Sequence, residues 1–156
     1  MLMTVEKVLH LKAVPLFASL PSEELAGLAE IAEEQSFPTG AVIFKENDRG
    51  EELYVLVSGR VRVYRTTNET EHAIAILGPR ECFGEMAVLD DEPRSASIAT
   101  IEDSVTLKIR REDFLELVID RPQFAFEIFK VLTRRLRMKS IEAENIPVFE
   151  TAQHYI

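Results

Sequence analysis

Between Gln35 and Arg110 the apolar residues recur at every second position in short runs, and a turn signal interrupts them every eight to twelve residues. This rhythm constrains the fold more than any other feature of the chain. Side chains two apart share one face of an extended strand. No helical stretch separates one run from the next. The pattern predicts a sandwich or barrel and disfavours a parallel α/β sheet, whose strands alternate with helices.

The strands are predicted at Ala41–Phe44, Leu53–Val57, Arg60–Arg65, His72–Leu77, near Ala96–Thr100 and at Val105–Ile109. Pro38-Thr39-Gly40, Glu46–Gly50, Ser58-Gly59, Thr67-Asn68-Glu69 and Gly78-Pro79-Arg80 supply the turns. Outside this region the period becomes helical. Val5, Val8, Leu9 and Leu11 predict a helix over Thr4–Lys12, and Val14-Pro15-Leu16-Phe17 breaks it with a hydrophobic turn. Pro21-Ser22-Glu23-Glu24 reads as a second helix start, with acids in the first turn. Leu25, Leu28, Ala29 and Ala32 form its buried stripe, which runs to about Glu34. After Arg110 come a helix on Phe114, Leu115, Leu117 and Val118, a break at Asp120-Arg121-Pro122, and a longer helix over Gln123–Ser140. Phe124, Ile128, Val131, Leu132 and Leu136 are its apolar positions.

One domain over residues 1–156 is expected, with a helical lead (1–34), a region of short strands (35–110), C-terminal helices (111–140) and a tail (141–156). The tail, with Pro147 and little pattern, reads as a loose end, a fragment boundary or a partner-binding segment. The net charge of −9 argues against nucleic acid as the main partner. Cys82 is the sole cysteine, so no internal disulfide forms, which fits a reducing compartment. The opening MLMTVEKVLHLKAV does not resemble a signal peptide, and no run approaches the ~18 apolar residues of a membrane span. A cytoplasmic location is expected.

One stretch, Phe83 to Ser97, carries the chemistry. Gly84 lets a ligand approach the backbone where a Cβ would intrude. A short helical turn starting near Glu85 would direct unpaired N–H groups at an anion. Arg94, held by Pro93, offers a planar fork of donors that fits a phosphate. Glu85 only accepts hydrogen bonds, so it suits a sugar hydroxyl. Together they describe a pocket for a small ligand with a phosphate and a ribose.

The stretch resembles the phosphate-binding cassette of the cyclic nucleotide-binding domain family, which reads Phe-Gly-Glu-(Leu/Met)-Ala, a short spacer, then Pro-Arg-(Ser/Thr/Ala)-Ala. Here it is Phe83-Gly84-Glu85-Met86-Ala87 and Pro93-Arg94-Ser95-Ala96. The likeness extends over about residues 12 to 140, through Leu16-Phe17, Val42-Ile43-Phe44, Leu53-Tyr54 and Gly59. It implies a double-stranded β-helix, jelly-roll-like, of about eight short strands with helices before and after. It also implies that Glu85 accepts from the ribose 2′-hydroxyl and that Gly84 lets the backbone close on the sugar. Arg94 pairs with the exocyclic phosphate oxygens, and the N–H groups of Met86, Ala87 and Ala96 bond the phosphate or ribose. The Ser95 hydroxyl adds a bond to phosphate or base, and the last helix caps the base. Two positions depart from the family pattern. Asn47 stands where the loop after the Ile-Phe strand usually has glycine, a mild change because asparagine tolerates a left-handed backbone. Arg80 and Glu81 occupy a turn that commonly carries a second glycine.

The remaining signals have ordinary readings. Without the surrounding motif, Glu85 and Arg94 would read as an ion pair across the barrel. Lys130, Arg134, Arg135, Arg137 and Lys139 complement the helix dipole and face water, so direct DNA binding is not expected. Phe124, Phe126 and Phe129 are read as packing residues and Cys82 as an inert buried thiol. His10, His72 and His154 show no metal spacing, and Asp90-Asp91-Glu92 reads as a solvated loop. No catalytic constellation is present, so the chain is expected to be a binder and not an enzyme, with no cofactor. Its expected ligand is cAMP ahead of cGMP. Its expected partner is an effector protein or a linked effector domain, with a homodimer through the apolar last helix as an option. The rival reading is an interaction or scaffold domain of the same fold that binds no physiological cyclic nucleotide.

Overall fold

The computed structural model describes residues 1–144. Two helices, α1 (Thr4–Lys12) and α2 (Ser22–Ile31), lead into β1 (Ala32–Phe37), β2 (Val42–Phe44), β3 (Glu52–Ser58), β4 (Val61–Thr67), β5 (Thr70–Leu77) and β6 (Cys82–Phe83). Helix α3 (Glu85–Asp90) interrupts the roll before β7 (Ser97–Thr100) and β8 (Ser104–Arg110). Helices α4 (Arg111–Asp120) and α5 (Pro122–Glu144) follow. The strands form two four-stranded sheets, ordered β1-β8-β3-β6 and β2-β7-β4-β5, and every pairing is antiparallel. Two facing sheets with flanking helices are the expected mainly-β roll.

Strand β3 shows why the roll holds together. Its run Leu53-Tyr54-Val55-Leu56 is buried on both faces. Leu53 and Val55 join Leu107 and Ile109 beneath the helices, in a core with Leu11, Phe17, Phe114 and Phe124. Tyr54 and Leu56 point the other way, into the roll, with Val61, Phe83 and Ile98. Burying one such side chain contributes about 1.5–3 kcal/mol, so β3 is the seam between the two cores.

The structure corrects several boundaries. Helix α2 stops at Ile31, and Ala32–Glu34, expected as its last turn, opens β1. Ala32 pairs with Ile109 and Glu34 with Leu107, so the roll begins at 32 and not at 35. The two-residue strand β6 was not anticipated. Helix α5 continues through Ile141–Glu144, residues assigned to the tail; the rest of that tail, including His154, lies outside the described residues. Phe124 is buried, but Phe126 and Phe129 are 57% and 61% exposed and are not packing residues. Leu136, Val5 and Leu9, expected on buried faces, are also exposed. No helix among the described residues is long and apolar enough to cross a membrane.

Candidate functional site

The chain enters the site along β6 and turns at Gly84, whose φ of 85° is the left-handed region that glycine tolerates best. A Cβ there would stand 2.6 Å from Arg94 Nη1 and 3.0 Å from the Glu52 carbonyl oxygen. Gly84 therefore serves two needs at once, the turn and the close passage of the arginine. Helix α3 starts directly after it and is capped by Asp91, which is also left-handed at φ 57°.

Arg94 is anchored by the Lys45–Gly50 loop. The Asn47 N–H donates to the Arg94 carbonyl at 2.9 Å, and the Arg94 N–H donates to the Asp48 carbonyl at 2.8 Å. Asn47 makes this approach with φ 73°, the backbone the family pattern assigns to glycine. The guanidinium then reaches inward. Its Nη1 donates to the Gly84 carbonyl at 2.9 Å and its Nη2 to the Glu52 carbonyl at 2.6 Å. It lies 3.9 Å over the Phe44 ring, and the Glu52 carboxylate stands 3.7 Å from Nη2. Arg94 is only 3% exposed, and its buried Nε has no hydrogen-bond partner. Burial pulls the guanidinium's pKa down and the Glu52 carboxylate opposes it; arginine remains charged throughout.

Phe83, Gly84, Glu85, Met86, Ala87, Arg94, Ser95 and Ala96, the eight residues predicted from the sequence, all line one cavity of about 280 Å³. Phe83 and Ala87 are buried, Gly84, Glu85 and Ala96 half-buried, and Met86 and Ser95 exposed. Arg65 Nε holds the Ser95 carbonyl at 2.9 Å. Phe44, Val63, Leu77 and Ile98 add apolar wall. A concave, largely apolar cavity with a few convergent polar groups is the general form of a small-molecule site. Glu85 and Arg94 do not pair with each other: Arg94 is beside Glu52, while Glu85 lies 3.8 Å from Arg135 of α5.

Two further groups belong to the neighbourhood. Tyr54 stacks on Phe83 with ring centres 5.3 Å apart. Burial, and then the Glu52 carboxylate, push its phenol up to about 12. Cys82, half-buried on the cavity wall, has its thiol pushed up to about 12, mainly by burial and then by Glu85. Such a thiol is a poor nucleophile at neutral pH, although it is less enclosed than the sequence implied. Glu52 and Arg135 were not legible as site residues, and the loop of Asn47 and Asp48 was legible only as part of the family pattern, with no contact to the site expected of it. All four are polar and lie outside the Phe83–Ala96 motif, and only chain folding brings them there. The apolar wall had a signal in the alternation of β4 and β7, but not its direction. Among the described residues no group of three or more His, Cys, Asp or Glu could hold a metal ion.

A family model described as the cyclic nucleotide-binding domain matches residues 34–121. The "Cyclic AMP receptor protein" of Thermus thermophilus is 38% identical over 94% of this chain and 68% of its own length. A "CRP-like cAMP-activated global transcriptional regulator" of Mycobacterium tuberculosis is 31% identical over 78% of this chain, which spans only 55% of that relative. The crystal structure of the N-terminal domain of a Streptomyces coelicolor transcriptional regulator superposes with a TM-score of 0.77 at 31% identity, covering 88% of this chain and 94% of that one. From its motif, its two-sheet roll and these likenesses, the chain belongs to the cyclic nucleotide-binding domain family.

Proposed function

We propose that this chain is a regulatory domain whose cavity binds a cyclic nucleotide, with cAMP preferred over cGMP. The observation that carries the reading is Arg94: a buried, permanently charged guanidinium on the cavity wall with its Nε unpartnered. Burying such a donor is costly unless an acceptor arrives, and a cyclic phosphate is an acceptor of the right charge. In this reading Glu85 takes the ribose 2′-hydroxyl, and the N–H groups of Met86, Ala87 and Ala96 bond the phosphate or ribose. The preference for cAMP rests on the two bacterial relatives named for it.

The output runs through α5. Glu85 belongs to the cassette and Arg135 to α5, so a ligand that engages Glu85 alters the contact between them. Occupancy then shifts how α5 sits, to the extent that the two arrangements differ in affinity. The exposed Phe126, Phe129 and Leu136 give α5 an apolar side that suits a second copy of the chain. The effector is a separate protein or a linked domain, and this domain itself does not contact DNA.

Thermal melting with and without cAMP and cGMP tests the reading. Ligand at ~100 times its dissociation constant adds ~2.7 kcal/mol, or roughly 5–10 °C in a domain of this size. A shift with cAMP that exceeds the shift with cGMP, and that Arg94→Ala abolishes, supports it. No shift with either nucleotide, or an equal shift in Arg94→Ala, favours a scaffold domain that has kept the fold without the ligand.

A further inference from the structure

We propose that Glu52 is a resident counter-ion of Arg94 that holds down the cavity's affinity for an anionic phosphate. The inference rests on the reading of the cavity as a cyclic-nucleotide site and concerns how tightly that site binds.

Two separate groups of Glu52 face the guanidinium. The backbone carbonyl accepts from Nη2 at 2.6 Å and helps to orient it. The carboxylate stands 3.7 Å from the same nitrogen, an ion-pair distance too long for a hydrogen bond. Orientation therefore comes from the two carbonyls, of Gly84 and Glu52, together with the Phe44 ring. The carboxylate adds negative charge and little direction. Arg94 lines the cavity and Glu52 does not, so Glu52 acts on the ligand through the arginine and through space.

The electrostatic balance makes this charge matter. The other charged residues on the cavity wall, Glu85, Asp90 and Glu92, are acids, and Arg94 is the one cation lining it among the described residues. Asp48 and Glu51 also act on the guanidinium, less strongly than Glu52. An incoming phosphate thus meets one positive charge already partly neutralised. Removing the Glu52 carboxylate while keeping its backbone carbonyl leaves the guanidinium in place and strips away the like charge beside the phosphate. The Glu52 side chain is 33% exposed, so a neutral amide there keeps access to water, while the buried guanidinium loses a counter-charge and keeps its two carbonyl acceptors.

The test is calorimetric titration of cAMP into the full chain, into Glu52→Gln and into Glu51→Gln. Glu51 is the control: it is the adjacent acid, paired with Arg49 at 2.8 Å and more exposed. Glu52→Gln is expected to bind cAMP about three- to ten-fold more tightly, as for one partly solvated like charge removed from beside an anion. Glu51→Gln is expected to change affinity less than about two-fold, since an exposed charge is well screened. The gap between Glu52→Gln and the parent should narrow as salt is raised. A role in merely bracing the arginine predicts the reverse, weaker binding in Glu52→Gln. Glu52→Thr, neutral and suited to a strand, provides a second variant if the amide folds poorly and should also bind more tightly. Equal or weaker binding in the neutral variants, with the parent binding cAMP, overturns the counter-ion role and leaves the proposed function standing. No binding of cAMP by parent or variants overturns both.

Discussion

The Glu85 carboxylate stands 3.8 Å from the Arg135 guanidinium, which ties the cassette to the last helix across fifty residues of sequence. The Arg135 side chain is 44% exposed and that of Glu85 17%, so the pair is only partly shielded from water. A pair of this kind contributes ~0–1 kcal/mol. On the proposed reading, a ribose hydroxyl that competes for the same carboxylate re-makes a contact that weak.

The role of Glu85 can be read from the ligand's side. The parent protein should bind 2′-deoxy-cAMP more weakly than cAMP by about five- to thirty-fold, the worth of one hydrogen bond to a charged group lost in part to water. Glu85→Ala should bind the two nucleotides nearly alike. Competition titration gives both ratios, and unchanged discrimination in Glu85→Ala removes the 2′-hydroxyl from the role assigned to it.

Arg94 has a structural duty that the sequence alone did not suggest. It donates to two carbonyls and packs over Phe44. Arg94→Lys keeps the charge but cannot donate in a fork. It should cost about 1–3 kcal/mol of stability through the carbonyls left under-satisfied, seen as a lower melting midpoint without ligand. Its cAMP binding should fall by at least about ten-fold. A lysine variant as stable and as tight as the parent means that charge alone suffices.

Arg80 sits exposed in the turn before β6 with φ 75°. A residue with a Cβ pays about 1–2 kcal/mol to hold that backbone. Arg80→Gly should therefore raise stability by about 0.5–1 kcal/mol, the remainder being offset by glycine's greater freedom when unfolded. Chemical denaturation of the two proteins measures the difference, and a loss of stability shows that the arginine side chain matters there.

Alkaline pH should destabilise the protein through Cys82 and Tyr54. Their folded values of about 12 lie above the ordinary 9.0 and 10.0. As pH rises past 9 the unfolded chain releases these protons first, so it binds fewer than the folded chain and stability falls. The slope is at most about 1.4 kcal/mol per pH unit for each group. The contribution is intact below pH 9 and gone above about 12. Cys82→Ala should flatten the decline between pH 9 and 10, where Tyr54 has barely begun to titrate in the unfolded chain.

Much of the roll and the site was readable from short stretches of chain. The alternation in Val61-Arg62-Val63-Tyr64 marked β4, and the motif from Phe83 to Ala96 picked out residues that line one cavity. Asn47, noted as tolerant of a left-handed backbone, adopts φ 73°. The failures share a cause. Ala32-Glu33-Glu34 suits a helix locally, yet its backbone groups pair with Lys108 and its neighbours, and the sheet wins over propensity. Phe126 and Phe129 have the composition of core residues, but α5 buries Phe124, Ile128 and Val131 instead, and one face of a helix cannot cover the other.

Period, turn chemistry and motif spacing act over a few neighbouring residues, and they were enough to mark a mainly-β fold, the helices around it and the cassette. The tertiary structure decided which strands meet, that β3 faces two cores, that Glu52 stands beside Arg94, and that Arg135 answers Glu85. Glu52 and Arg94 lie about forty residues apart, Glu85 and Arg135 about fifty, and the partners that join β1 to β8 about seventy. No local preference encodes such distances; they follow from burying both faces of one sheet at the same time.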